Sequence, residues 1–181
     1  SRSQETAAHV RRVGLLAEIL AKAAGMIDTD AELIRHAAPL HDIGKIGIPD
    51  AILNKPGSHD ADEAEIMRTH AAIGHQMLSQ SKRGIFLIAA EIAATHHENW
   101  DGSGYPKGLK GEEIPLNGRI TMLVDVFDAL GSKRCYKEPW SNEKIQAFLR
   151  EQSGIKFDPR LVDLLFKHWD AAEQVRLQLP D

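Results

Sequence analysis

Nine histidines stand in 181 residues, and their placement carries more meaning than their number. His41 and Asp42 are adjacent near the end of one helical stretch, and His96 and His97 are adjacent at the end of another. His70 lies on an apolar helix face among Ile66, Met67 and Ile73, and Asp125 lies between Val124 and Val126. Glu5 and His9 are four apart and share one face of the first helix. Carboxylates and clustered imidazoles on apolar faces are costly to bury unless paired or bound to a cation. Imidazole with carboxylate suits Fe, Mn, Zn or Ni rather than a thiolate-preferring metal. One cation takes about four to six donors, so this many candidates point to two or three ions. Asp42, with two carboxylate oxygens, is suited to bridge two of them. Such a pair, about 3.5–4 Å apart, holds a hydroxide at neutral pH and clamps a phosphodiester for in-line attack.

Each histidine also has an ordinary reading. A lone imidazole on an apolar helix face is more often a hydrogen-bonded core residue than a ligand. The two adjacent pairs, with His70 and Asp125 on the inner faces of other helices, shift the balance to metal. Lys45 follows Asp42 by three residues and so can reach the same site. Most lysines are solvated. Here Ile43, Ile46 and Ile48 indicate a partly buried segment, so Lys45 reads as a cation that binds phosphate or assists the leaving oxygen.

The elements that must position these groups are helical. Val10, Val13, Leu16, Leu20 and Ala24 recur at helical spacing, with Gly25 as the stop. Thr29 with Glu32 predicts a capping box for a second helix running to about Ile43, where Pro39 should kink it or loosen one backbone bond. Residues 44–57 read as a loop with at most one turn of helix. Asp60 with Glu63 predicts the cap of a third helix carrying Ile66 to Met77. Ile85–His97 is strongly apolar and should be central, residues 99–118 are Gly- and Pro-rich loop, and Arg119–Leu130 is again helical. Ser141 starts a further helix that stops near Gly154, and Asp158-Pro159 starts the last one. No alternating run predicts a strand, so the expectation is all-α, one helical bundle over residues 1–181.

Composition bounds the partners. Apolar residues make up 43% and charged residues 27%, ordinary for a globular chain. A net charge of -4 argues against a DNA- or RNA-binding surface. An anionic substrate would therefore need positive charge from a few side chains or from metal ions. Cys135 is the single cysteine, which excludes an intrachain disulfide and fits a cytoplasmic location. No stretch is long and apolar enough to span a bilayer.

The segment His41-Asp42-Ile43-Gly44-Lys45 resembles the signature of HD-domain phosphohydrolases. The segment from His96-His97-Glu98-Asn99 through Gly104-Tyr105-Pro106 resembles the second signature of the HD-GYP subfamily. The stretches Lys45–Gly57, Val124–Leu130 and Gly154–Pro159 are similar to the same subfamily, in the expected order. The resemblance implies an HD-type helical bundle and hydrolysis of cyclic di-GMP to pGpG, and onward to GMP, by a metal-bridged hydroxide. It implies metal ligation by His9, His41, Asp42, His70, His96, His97 and Asp125. Glu5 matches the position of an extra ligand in members with three metals. The implied cofactors are two or three divalent ions, Fe or Mn first, with Ni, Zn or Mg as alternatives. Lys45 would contact the scissile phosphate, Arg134 and Lys137 match phosphate-binding positions, and Tyr105 would shape the loop beside the site.

Gly131 stands where the family often has Thr, and Cys135 where it often has Pro, which puts the setting of Arg134 in question. His36, His59, His75 and His168 match no ligand position and read as surface or structural residues. Other readings stay open: another cyclic dinucleotide such as cyclic GMP-AMP, a di-iron oxygenase of the HD superfamily, or a non-catalytic cyclic dinucleotide sensor. The Gly-Tyr-Pro loop with Lys45, Arg134 and Lys137 weighs against oxygen chemistry. The expected partner is a small cyclic dinucleotide. An upstream sensory or receiver part, a homodimer, and a diguanylate cyclase-type or other signalling partner are further expectations.

Overall fold

The computed structural model describes residues 6–132 and 138–180. Its described residues form ten α-helices and three short 3-10 turns, with no strand. The first helix, α1 (Ala7–Ala23), is capped by Thr6, whose side chain accepts from the His9 N–H. It buries Val13, Leu16 and Leu20 and ends at Gly25, whose φ of 90° only glycine adopts without strain.

The next helix, α2 (Asp28–Ala37), starts earlier than expected. Ile27 holds the cap position without a side-chain bond, so Thr29 and Glu32 do not form the predicted box. Asp28 and Asp30 in the first turn face the positive end of the helix instead. The helix also stops before Pro39 rather than running through it. Proline has no N–H to continue the ladder, and its ring crowds the preceding turn. The chain proceeds through 3-10 turns at Ala38–Leu40 and Ile43–Gly47 and a short helix, α3 (Asp50–Leu53). Those tight turns, rather than a kinked helix, carry His41, Asp42 and Lys45.

The expected third helix is two. The first, α4 (Ala61–Arg68), has the predicted Asp60–Glu63 capping box. Thr69 then ends it, its hydroxyl donating to the Ile66 carbonyl at 2.6 Å in competition with the backbone ladder. The break lets α5 (His70–Leu78) begin with His70 turned inward. The apolar α6 (Gly84–Thr95) is central as expected and packs against α2, α5 and α7 (Leu116–Gly131). The next helix, α8 (Asn142–Glu151), is capped by Ser141, and α9 (Pro159–Lys167) by Asp158 with Pro159 in its first turn. The chain changes course at His168, and α10 (Trp169–Gln178) follows. That turn buries Trp169 against Phe127 and Phe166 at ring distances of 5.2 and 5.7 Å.

Side chains from α1, α2, α6, α7, α8 and α9 share one apolar core that includes Leu16, Ile34, Ile92, Leu123, Phe127, Leu149 and Leu165. Burying each such side chain contributes roughly 1.5–3 kcal/mol. This is enough to hold the helix ends that carry polar groups at fixed positions. No helix among the described residues is long and apolar enough to cross a membrane.

Candidate metal centre

Five elements deliver the predicted ligands to one place. His9 comes from the first turn of α1 and Asp125 from the middle of α7. His41 and Asp42 come from the tight turns after α2, His70 from the start of α5, and His96 and His97 from the end of α6. The side chains form two groups, Asp42/His70/His96/His97 and His9/His41/Asp125. Within each group the ligand atoms lie within 4.8 Å of one another.

Asp42 joins the groups. Its Oδ1 lies 3.1 Å from His70 Nε2 and 3.6 Å from His96 Nε2, and its Oδ2 lies 3.4 Å from His41 Nε2. Asp125 Oδ1 lies 3.4 Å from His9 Nε2 and 3.8 Å from His41 Nε2. His97 Nε2 faces His70 Nε2 at 3.1 Å. Two ring nitrogens at that distance are compatible only with a shared proton or a shared cation.

The outer nitrogens are already committed. His41 Nδ1 bonds the Ala38 carbonyl at 2.8 Å, His70 Nδ1 that of Met67 at 2.6 Å, and His96 Nδ1 that of Ile92 at 3.0 Å. His9 Nδ1 bonds Asp128 Oδ2 at 2.8 Å. For His41, His70 and His96 the outer bond to a carbonyl fixes the tautomer and turns the Nε2 lone pair toward the centre. His9, held between Asp125 and Asp128, has its pKa raised to about 9 and must give up its Nε2 proton to ligate. Asp42 Oδ1 and His96 Nε2 are buried and make no hydrogen bond. Buried polar atoms without partners are costly, and a divalent cation between these donors removes that cost. Five imidazoles and two carboxylates without thiolate suit Fe, Mn, Zn or Ni. The residues present therefore fit such ions.

The electrostatics agree. Burial, with His96 and His70 close by, pushes His97 down to about 2. His96 is also held below its ordinary value by burial, which outweighs Asp42. Both rings are thus neutral and able to ligate at neutral pH. Burial works to raise Asp42 and Asp125, but the surrounding imidazoles outweigh it and keep both ionised.

Two glycines permit the approach. A Cβ on Gly44 would sit 2.0 Å from the His70 carbonyl oxygen, so only glycine lets the Asp42 turn touch α5. A Cβ on Gly104 would meet Asn99 N at 2.2 Å and His97 O at 2.5 Å. The loop folds back there, and Tyr105 N donates to the His97 carbonyl at 3.1 Å. The Tyr105 ring then stacks on His97 with centroids 4.7 Å apart. Burial and the nearby Asp42 charge push its hydroxyl up to about 12, so it stays a neutral donor.

Lys45 is partly buried and donates to Asp42 Oδ2. The apolar neighbours used to infer its burial behave differently from expectation: Ile48 is buried, while Ile43 and Ile46 face outward. Glu5, Arg134 and Lys137 lie outside the described residues, as does Cys135. Among the histidines that match no ligand position, His59 bonds the Ile52 carbonyl at 2.8 Å and His75 that of Ala90 at 3.0 Å.

Three residues at the site were missed in the sequence. Asp128 orients His9, one helical turn beyond Asp125; that three-residue spacing in α7 was the available signal. Glu98 is buried and accepts from Lys107 N at 2.7 Å and Leu109 N at 3.0 Å, which holds the loop that presents Tyr105. Arg68 lies over the Tyr105 ring, 5.2 Å from its centroid, and carried no signal beyond its distance of two residues from His70.

Residues 1–161 match the family described as HD domain. The whole chain is 54% identical to 35% of the length of a 3'3'-cGAMP-specific phosphodiesterase 2 of Vibrio cholerae. It is 46% identical over 170 residues, 94% of this chain and 45% of the relative, to a cyclic di-GMP phosphodiesterase response regulator of Xanthomonas campestris. The chain thus spans less than half the length of these relatives. A crystal structure of a cyclic GMP-AMP specific phosphodiesterase of V. cholerae superposes with a TM-score of 0.71 at 20% identity. That superposition covers 98% of this chain and 50% of the other. It supports the all-helical HD-type fold.

Proposed function

The chain belongs to the HD-domain family, and on that premise we propose that it is an HD-GYP phosphodiesterase that hydrolyses a cyclic dinucleotide at a dinuclear metal centre. One observation carries the reading: Asp42 sits between two sets of imidazoles, with one carboxylate oxygen toward each. His70, His96 and His97 would hold one ion and His9, His41 and Asp125 the other, with Asp42 shared. Glu5 would serve a third ion, a proposal supported by its match to the HD-GYP pattern. When bound, the ions supply an activated water at neutral pH and neutralise charge on the phosphoryl oxygens. Fe or Mn is the proposed pair, supported by the imidazole and carboxylate donors.

The chain's own residues do the rest. Asp42 keeps the Lys45 ammonium beside the centre, where it can donate to a non-bridging phosphate oxygen as charge builds there. Tyr105, neutral and stacked on His97, offers a hydroxyl donor to the substrate. Arg134 and Lys137 are proposed to bind the phosphates, supported by their match to the HD-GYP pattern. Cyclic di-GMP is the proposed substrate, yielding pGpG and then GMP. Cyclic GMP-AMP is the second reading, favoured by the 54% identity to a relative named for it. Cytoplasmic action is proposed with it, supported by the class of substrate.

The test is product analysis on both dinucleotides with protein purified without oxygen and loaded with Fe or Mn. Linear dinucleotide should appear, and His96→Ala should lower turnover by at least about 10³-fold without unfolding the chain. Near-normal hydrolysis by His96→Ala would overturn the assignment.

A further inference from the structure

Arg12 is 2% exposed, yet nothing in the proposed reaction uses it. Its Nε donates to Asp128 Oδ1 at 2.7 Å and its Nη2 to Asp128 Oδ2 at 3.0 Å. Nη2 also donates to Ser132 Oγ at 2.8 Å, and Nη1 to the Leu179 carbonyl at 2.7 Å. Asp128 is fully buried, and its Oδ2 also receives His9 Nδ1 at 2.8 Å. His9 and Arg12 are three apart on α1, and Asp125 and Asp128 are three apart on α7. The two helices therefore face each other through two successive rungs, His9 with Asp125 and Arg12 with Asp128. The His9–Asp128 bond crosses between the rungs. A buried ion pair of this kind is weak grounds for stability, because well-packed apolar residues often serve as well. Its geometry is more informative: the guanidinium fixes both oxygens of the one carboxylate that sets the rotation of His9. The equivalent bonds of His41, His70 and His96 go to backbone carbonyls and need no such support.

We infer that Arg12, acting through Asp128, is a positioning residue for the His9/His41/Asp125 metal position and leaves the Asp42/His70/His96/His97 position unaffected. This rests on the metal-centre reading. Outer partners of metal-bound histidines typically change affinity by about 10–100-fold, so the effect should be confined to one ion.

The test is Mn²⁺ titration of metal-free wild type, Arg12→Met and Asp128→Asn by calorimetry, with thermal melts to confirm folding. Arg12→Met keeps an apolar stem of similar reach, and Asp128→Asn keeps a carbonyl acceptor while losing the charge. Wild type should bind at least two equivalents. Each variant should retain one at wild-type affinity and bind the other about 10–100-fold more weakly. Should Arg12→Met fail to fold, Asp128→Asn decides alone. Full wild-type binding by the folded variants, or equal weakening of all equivalents, would overturn the inference and leave the metal centre standing. Fewer than two equivalents in wild type would overturn the metal-centre reading itself.

Discussion

Lys45 shows how much a single side chain is asked to do. It donates to the carboxylate oxygen that faces His41, so its charge sits beside the shared ligand without being one. Lys45→Ala should leave metal content intact and lower kcat by about 10²–10³-fold, the range for removing one preorganised donor. Metal analysis beside steady-state kinetics checks this, and loss of metal would contradict it. The imidazoles set an acid limit on the metal-free fold. An unfolded histidine titrates near 6.5, whereas His97 in the fold titrates at about 2. Below pH 6.5 the unfolded chain binds a proton that the folded chain refuses, so stability falls as pH drops. His96, also depressed, adds in the same direction. His9 is the opposite case: burial lowers it, but Asp125 and Asp128 outweigh this and raise it to about 9. Its contribution is full below pH 6.5 and lost as pH rises through 9. Melting of chelated protein should therefore fall between pH 7 and 5, with His97→Gln flattening that slope. A flat acid limb in wild type would contradict the burial of these rings.

At the scale of elements, the centre depends on tight turns more than on helices. Gly44 lets the turn after α2 touch the first residue of α5. Gly44→Ala forces a backbone shift and should cost about 1–3 kcal/mol, as overpacking does. It should also weaken metal binding, because Asp42 and His70 move apart. Chemical denaturation and Mn²⁺ titration test both effects, and wild-type values would sink the close-approach account. The helix signals that could be read were local ones. The Asp60–Glu63 box, Ser141 and Asp158-Pro159 each start a helix where the residues predict. The errors lie where side chains compete with the backbone or where the core decides. Thr69 breaks an otherwise periodic run, Pro39 replaces an expected kink with 3-10 turns, and Trp169 turns the last helix in two.

For the molecule as a whole, the all-helical bundle follows from apolar periodicity, and all seven ligand candidates within the described residues converge. Their convergence could not be read from spacing, since the candidate ligands span His9 to Asp125 in separate elements and only adjacent pairs announce themselves. The His41-Asp42 and His96-His97 pairs were legible for that reason, while Asp128 and Glu98, which act behind the ligands, were not. The central claim is that these side chains form one polynuclear cation site with Asp42 between its two halves. The most direct measurement is anomalous diffraction at the manganese edge from crystals of Mn-loaded protein. At least two peaks are predicted, two of them about 3.5–4 Å apart on either side of Asp42. A single peak, or peaks away from Asp42 and the imidazoles, would contradict the account.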